Sequence, residues 1–264
     1  MTFRALHQRA GTFIIPNPWD PGSARALQVL GFEALATTSA GYAFSVAKPD
    51  GGVGRDAMLA HAAELVAATD LPVSADLENG YGDDPKFVAE TVRLAAATGL
   101  AGCSIEDTPS GTRRVPYDLP LAAERVRAAA EAAHSLPFPF TLSARTENYL
   151  VGREDLDDTI ARLQAFQEAG ADVLFAPGLR TKDEIATVVR SVDRPVNVII
   201  IPGMQMSVAD LSALGVKRIS VGSSLARAAW GAFLSAAREM KEHGTFHFTE
   251  KATRGAELNE MFRA

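Results

Sequence analysis

The sequence predicts a closed (β/α)₈ barrel that forms a single domain over residues 1–264. Three observations support this fold: the length of 264 residues, eight short apolar segments along the whole chain, and longer amphipathic segments between them. A barrel of this type usually needs about 250 residues. The apolar segments lack strict alternation of polar and apolar residues, which is expected for parallel strands that helices cover.

The predicted strands are rich in Val, Ile, Leu, Phe and Ala. They span residues 12–16, 32–38, 72–76, 102–107, 140–145, 171–177, 195–201 and 217–222. The clearest predicted helices between them span residues 54–69, 86–99, 119–135 and 155–170. Several helices end in a glycine just before the next strand, as at Gly99 and Gly170, which is a C-cap signal. The alternative is an open doubly wound sheet, but no GxGxxG sequence follows the first strand to support dinucleotide binding.

The last segment, residues 243–264, predicts one more amphipathic helix after the barrel closes. We expect this tail to pack on a partner subunit in a homo-oligomer, because its apolar side chains would not extend free into water. These side chains are Phe246, Phe248, Leu258, Met261 and Phe262.

Composition excludes several classes of protein. The net charge of −6 argues against nucleic acid or an anionic membrane as the main partner. No apolar run approaches the roughly 18 residues that a membrane span needs, and residues 1–11 lack the apolar stretch of a secretory signal. Cys103 is the single cysteine, so no internal disulfide can form. We expect a globular cytoplasmic protein.

Charged residues follow three successive predicted strands, at the end of the barrel where active sites of this fold lie. Asp76 and Glu78 follow the third strand, Glu106 the fourth and Arg145 the fifth. Asp76 and Glu78 are two positions apart, so both side chains point to the same side if the chain is extended. Three converging carboxylates repel one another unless a cation binds, and oxygen ligands suit Mg²⁺ or Mn²⁺ better than Zn²⁺. The sequence therefore predicts a magnesium site.

The alternative is a structural network of paired charges inside the barrel. For any one of the four residues, this explanation is as good as function. For four charges on one rim we favour function, because burying charge is costly. No lysine lies at the carboxyl end of a central strand, which disfavours a Schiff-base aldolase.

Four segments together resemble the isocitrate lyase/phosphoenolpyruvate mutase superfamily. They are TTSAGYA (37–43), ADLENGYGD (75–83), SIED (104–107) and SARTEN (143–148), and the resemblance covers essentially the whole chain. It implies a (β/α)₈ barrel whose eighth helix is exchanged with a partner subunit, usually in a dimer of dimers. It also implies Mg²⁺-dependent chemistry on a small 2-oxo or 2-hydroxy carboxylic acid.

The resemblance implies roles for the charged residues by matching each to a family motif. Asp76 is similar to the direct metal ligand, and Glu78 and Glu106 are similar to the carboxylates that hold metal-bound waters. Arg145 resembles the arginine that contacts substrate. We therefore expect Arg145 and Glu106 to be catalytic residues.

The substrate-binding positions come from two other segments. Ser39, Ala40 and Gly41 resemble the loop that binds the carboxylate and oxo group of the substrate. Asp50, in AKPDGG (47–52), resembles a family aspartate near the active-site entrance. From the residues alone, two interpretations of 39–41 stay open. The segment is a plain β–α loop, or its small side chains let backbone N–H groups approach an anionic ligand.

The loop after the fourth strand departs from the family. The lyases for isocitrate and 2-methylisocitrate carry a Lys-Cys-Gly-His type sequence there, whose cysteine is the general acid. The matching segment here, TPSGTRRVPYD (108–118), has neither cysteine nor lysine, and it also lacks the mutase's Lys-Lys-Asn type sequence. Thr112 is the candidate hydroxyl on this loop, and we expect the loop to close over bound ligand with Thr112, Arg113 or Arg114.

Three functions remain open from the sequence. The first is a Mg²⁺-dependent C–C lyase or decarboxylase for an oxaloacetate-like acid, acting through a metal-stabilised enolate. The second is P–C cleavage or rearrangement of phosphonopyruvate in the same barrel. The third is a non-catalytic protein that binds a 2-oxo acid. In each case the partner is a small carboxylate, and the protein is a homo-oligomer, either a dimer or a tetramer.

Overall fold

The computed structural model describes residues 2–109 and 115–263. Within these ranges eight short strands form one parallel sheet, and each lies inside a predicted strand. The strands are β1 (Phe13–Ile14), β2 (Leu35–Ala36), β3 (Val73–Asp76), β4 (Gly102–Glu106), β5 (Thr141–Arg145), β6 (Val173–Phe175), β7 (Val196–Ile199) and β8 (Arg218–Ser220). The predicted α/β barrel class is confirmed.

Helices alternate with the strands around the sheet. They are α1 (Phe3–Gln8), α2 (Pro21–Val29), α3 (Ser39–Ser45), α4 (Arg55–Ala67), α5 (Pro85–Ala97), α6 (Leu119–His134), α7 (Leu156–Glu168), α8 (Lys182–Arg190), α9 (Val208–Ala213), α10 (Ser224–His243) and α11 (Gly255–Met261). Gly99 and Gly170 follow α5 and α7 with φ of 90° and 104°, a left-handed conformation that glycine adopts without strain. These two helix ends were predicted correctly.

The first and second strands close the barrel. The sheet order runs from β1 through β8, β7, β6, β5, β4 and β3 to β2, and the Ala36 N–H donates to the Pro16 carbonyl at 3.0 Å across the two ends. Asn17 adds to this closure, because its Nδ2 donates to the Thr37 carbonyl at 3.0 Å. Its Oδ1 accepts from Gly222 N at 2.9 Å. One buried amide therefore joins the ends of β1, β2 and β8.

The interior of the barrel is polar. Arg218 on β8 is buried and donates to Asn197 Oδ1 at 2.9 Å and to Ser143 Oγ at 3.0 Å. Burial lowers the pKa of Arg218 to about 10. A cavity of about 50 Å³ extends from this region to Asp76 and Arg145 at the carboxyl ends of the strands. The apolar core lies outside the sheet, between the strands and the helices.

The segment after the barrel is not one helix. The long α10 ends at Gly244, which has φ of 64°. The carboxylate of Glu239 accepts from Thr245 Oγ1 at 2.9 Å and from the His247 N–H at 2.6 Å, so the chain turns back on α10. A 3₁₀ turn, His247–Glu250, and α11 follow. The prediction of one helix over 243–264 is therefore wrong in extent, because a glycine and a side-chain cap interrupt it.

Helix α10 differs from the helices of the barrel in its exposure. Of its 20 residues only Ala226 is buried. No helix in residues 2–109 or 115–263 is long and apolar enough to cross a membrane.

Candidate active site

The Asp76 carboxylate ends β3 and contacts the first residue of α3. Asp76 Oδ2 accepts from Ser39 Oγ at 2.8 Å and from Ser39 N at 3.3 Å. The backbone N–H of Asp76 donates to Thr37 Oγ1 at 2.9 Å. Thr38 caps α3 by accepting from Gly41 N at 3.2 Å. The predicted substrate loop 39–41 is thus the first turn of α3, and its serine fixes the orientation of Asp76.

Arg145 is the cation at the centre of the carboxylates. Its Nη1 lies 3.8 Å from Asp76 Oδ1, and its Nε lies 3.6 Å from Glu106 Oε2. Nε also donates to the carboxylate of Glu147. Burial alone lowers the pKa of Arg145, but the charges of Glu147, Glu106 and Asp76 together raise it. The guanidinium therefore stays charged although little of it is exposed. The structure confirms that β3, β4 and β5 bring Asp76, Glu106 and Arg145 together.

Glu78 reaches this region by a different path from the one expected. An extended chain at Asp76 and Glu78 was predicted, but Glu78 has φ of 49° and follows the end of β3, so this prediction is wrong. Its carbonyl accepts from Glu106 N at 2.9 Å. Burial, followed by the charges of Glu78, Asp76 and Glu106, raises the pKa of the Tyr81 phenol. The charges of all three carboxylates therefore act on one phenol, and a turn rather than strand alternation places Glu78.

The carboxylates fit a magnesium ion that binds largely through water. In the part of the chain that the structure describes, no three His, Cys, Asp or Glu side chains are close enough to hold one ion directly. Mg²⁺ usually keeps several waters and binds proteins through one or two carboxylates. This coordination is consistent with Asp76 as the residue that would bind the ion directly, and with Glu78 and Glu106 as residues that would act through waters. Asp76, Glu106 and Glu147 lie around the Arg145 guanidinium, and a divalent cation would offset the repulsion between such carboxylates.

Of the remaining predicted residues, the structure describes Ala40 and Asp50. Ala40 lies beside Ser39 in α3. Asp50 is exposed in the loop between α3 and α4, and its neighbour Gly51 lines a cavity of about 450 Å³ together with Glu78. Thr112, with Arg113 and Arg114, lies outside the described residues. Its catalytic role and the closing of the loop remain predictions.

A layer of charges that was not predicted from the sequence lies behind the site. Asp107 is buried; its Oδ1 accepts from Glu147 N at 2.9 Å, and its Oδ2 accepts from Arg162 Nη1 at 3.0 Å. Burial raises the pKa of Asp107, while the Glu147 N–H and the Arg162 guanidinium lower it. Asp107 and Glu147 belong to the SIED and SARTEN motifs, which was an available signal. Arg162 lies within α7, and nothing in the local sequence connects it with Asp107.

Comparison with known proteins gives the family. Residues 3–241 match the family described as phosphoenolpyruvate phosphomutase. The chain belongs to this family. The resemblance to the isocitrate lyase/phosphoenolpyruvate mutase superfamily is therefore confirmed, and the chain is an enzyme of its lyase and mutase type.

Relatives of this family member differ in their named activities. A crystal structure of a protein from Burkholderia cenocepacia, assigned as a lyase or mutase, is 61% identical with a TM-score of 0.97; the match covers 100% of this chain and 95% of that one. Oxaloacetate decarboxylase of Pseudomonas savastanoi pv. phaseolicola is 29% identical over 249 residues, 91% of this chain and 84% of the relative. Oxaloacetate acetylhydrolase in complex with oxalate is 26% identical with a TM-score of 0.88, over 98% of this chain and 92% of that one.

Proposed function

We propose that this phosphomutase-family member is a Mg²⁺-dependent C–C lyase or decarboxylase that acts on a small oxaloacetate-like 2-oxo or 2-hydroxy acid. The observation that carries the proposal is the position of Arg145, a buried cation between Asp76, Glu106 and Glu147 at the carboxyl ends of the strands. A buried guanidinium at a site of this kind suits a planar carboxylate. The relatives named for oxaloacetate chemistry support the same class of substrate.

Each side chain has a role in this proposal. Arg145 binds the substrate carboxylate and stabilises negative charge that develops as the C–C bond breaks. Ser39 holds Asp76 in position, and Glu78 and Glu106 orient waters around the cation. When bound, Mg²⁺ supplies Lewis-acid stabilisation of the same developing charge.

P–C chemistry is the second candidate. The description of the matched family favours it, and Arg145 would suit a phosphonate-bearing 2-oxo acid as well. The segment 108–118 lacks the mutase's Lys-Lys-Asn type sequence, which is why we place this function second.

A turnover screen tests the proposal. Pure protein with Mg²⁺ is assayed with oxaloacetate, phosphonopyruvate, isocitrate, 2-methylisocitrate and dimethylmalate, and cleavage of a C–C bond in one of these acids is expected. Turnover of phosphonopyruvate alone would assign the second candidate. No turnover of any of the five acids, with tight binding of one, would make the protein a non-catalytic 2-oxo acid binder.

The metal requirement has its own test. Asp76→Ala should abolish Mg²⁺ binding and activity while the barrel stays folded, because no other carboxylate replaces its position beside Ser39 in the described structure. Asp56→Asn is the matched control, since the Asp56 side chain is almost fully exposed on α4. Equal Mg²⁺ affinity of Asp76→Ala and the parent protein in calorimetry would contradict the metal assignment.

We also propose that the enzyme is a homo-oligomer. Large apolar side chains of α10 and the tail are exposed to solvent. Exposed apolar residues that lie together on a surface favour association with another protein chain. The family resemblance implies that the last barrel helix packs on a partner subunit. The exposed residues are Leu225, Trp230, Phe233, Leu234, Met240, Phe246, Leu258 and Phe262.

A further inference from the structure

The loop that carries Glu78 has an unusual backbone. We call residues 77–83, between β3 and α5, the Glu78 loop. Glu78, Gly80 and Tyr81 have positive φ of 49°, 79° and 64°. Residues with a Cβ rarely adopt this conformation because their side chain crowds the backbone. Surrounding contacts must therefore hold the loop in its shape.

Arg125, on α6, donates three hydrogen bonds to the backbone of this loop. Its side chain is buried, with 1% of the residue exposed. Nη1 donates to the Gly82 carbonyl at 2.7 Å and to the Asp83 carbonyl, and Nη2 donates to the Asn79 carbonyl. One guanidinium thus fixes three carbonyls on both sides of Tyr81.

Thr91, on α5, fixes the remaining turn. It is fully buried, and its Oγ1 donates to the Gly80 carbonyl at 2.8 Å. Helices α5 and α6 lie against each other, so Thr91 and Arg125 act on the Glu78 loop from one rigid surface.

The setting of Arg125 is unusual for a buried cation. Within residues 2–109 and 115–263, its guanidinium forms no ion pair with a carboxylate. The guanidinium lies over the Tyr117 ring instead, with Cζ 4.3 Å from the ring centroid. Burial lowers the pKa of Arg125, while Tyr117 and Asp83 raise it. A buried charge that is satisfied by loop carbonyls instead of an acid is costly, which indicates a specific purpose for the loop geometry.

We propose that Arg125 is a positioning residue for the metal-holding carboxylates. It acts through the backbone of the Glu78 loop, which sets the side chain of Glu78. The same loop reaches Glu106, whose N–H donates to the Glu78 carbonyl at 2.9 Å. This inference rests on the proposed Mg²⁺ site. It makes the metal affinity of that site depend on a residue that touches neither metal nor substrate.

Mn²⁺ affinity tests the inference, measured from the free Mn²⁺ signal in electron paramagnetic resonance at a temperature where all proteins are folded. Arg125→Met keeps the length of the side chain but removes every donor. We expect it to weaken Mn²⁺ binding by roughly 10–100-fold, as for residues that orient metal ligands. Thr91→Val, which keeps the shape of the side chain, should weaken binding in the same direction.

Val126→Ala is the matched control. Val126 is the next residue on α6 and is buried in the apolar core, so its truncation destabilises the same helix without touching the Glu78 loop. Its Mn²⁺ affinity should equal that of the parent. A purely structural role of Arg125 would leave affinity unchanged in Arg125→Met as well.

The outcomes separate this inference from the proposed function. A parent protein that binds Mn²⁺, with equal affinity in Arg125→Met, overturns the inference and leaves the metal site intact. A parent that binds no Mn²⁺ contradicts the proposed function, and the inference fails with it. If Arg125→Met does not fold, Thr91→Val decides: weakened binding supports positioning through the loop, and unchanged binding overturns it.

Discussion

At the scale of single residues, the ion pair between Arg145 and Glu147 is the strongest charge contact of the site. Glu147 is fully buried, and Arg145 is nearly so. Without the Glu147 charge, Arg145 would lose its directly hydrogen-bonded carboxylate and keep only Asp76 and Glu106, at 3.8 and 3.6 Å. The pair therefore fixes the orientation of Arg145 and also affects stability.

Glu147→Gln tests this contact. The substitution keeps the shape and one oxygen acceptor but removes the charge, and it should lower the free energy of unfolding by about 2 kcal/mol, as for the loss of a hydrogen bond between charged groups. Urea denaturation gives the measurement. Glu33→Gln is the control, because the pair between Arg9 and Glu33 is largely exposed and surface pairs contribute little. Equal stability of the two variants would show that the buried pair is not structurally important.

A second prediction concerns His61, which is buried on α4 and stacked on Tyr42 with ring centroids 3.7 Å apart. Burial lowers the pKa of His61 to about 4, although the charge of Asp20 raises it. The folded protein thus keeps His61 neutral in a range where the unfolded chain protonates it, below pH 6.5. Unfolding takes up a proton between pH 6.5 and about 4, so His61 makes stability fall as pH falls through this window.

His61→Phe should reduce this pH dependence, since phenylalanine keeps the stacking on Tyr42 and has no titratable nitrogen. The free energy of unfolding is measured for both proteins at pH 7 and pH 5. We expect the loss of stability between these values to be smaller in the variant. An identical loss in both proteins would mean that His61 is protonated in the folded state or accessible to water.

At the scale of elements, α10 leaves most of its apolar side chains exposed. Trp230 and Phe233 are exposed, and their rings meet edge to face at 5.5 Å. The barrel helices hide their apolar faces against the sheet, but α10 buries only Ala226. An aromatic surface of this kind is typical of a subunit interface.

Phe233→Asp should therefore shift the protein to a smaller species in light scattering at micromolar concentration, because a charge in the centre of an apolar interface is costly to bury. Leu30→Asp is the control. Leu30 has 66% of its surface exposed and Phe233 61%, but Leu30 is the C-cap residue of α2 and belongs neither to α10 nor to the tail. A monomeric parent protein, or equal mass of both variants and the parent, would contradict the proposed assembly.

At the scale of the whole molecule, closure of the barrel brings the ends of distant strands to one rim. Asn17 follows β1, yet it forms hydrogen bonds with the segments after β2 and β8. Its partner Gly222 lies 205 positions away in the chain. Closure also places Ser39, Asp76, Glu106 and Arg145 from four units around one site. The charge set of the site is thus a property of the complete barrel.

The sequence by itself determined the fold and most of the charged residues at the carboxyl ends of the strands. Eight apolar segments separated by amphipathic ones predict eight strands, because parallel strands that helices cover are apolar on both faces. Asp76, Glu106 and Arg145 could be placed together because the carboxyl ends of parallel strands meet at one end of a barrel. The glycines after α5 and α7 marked helix ends because only glycine adopts a left-handed conformation without strain.

Only the tertiary structure decided the contacts that depend on turns and on distant helices. The left-handed conformation of Glu78 broke the strand alternation on which its placement relied, and Gly244 with the cap of Glu239 divided the predicted tail helix. Arg125 and Arg162 lie on helices whose sequences indicate only amphipathic packing. Their long side chains contact a carbonyl and a carboxylate about 40 or more positions away in the chain. The local sequence around each arginine does not indicate which distant residue it contacts. Sequence patterns fix periodicity within an element, whereas these contacts depend on how elements from different parts of the chain meet.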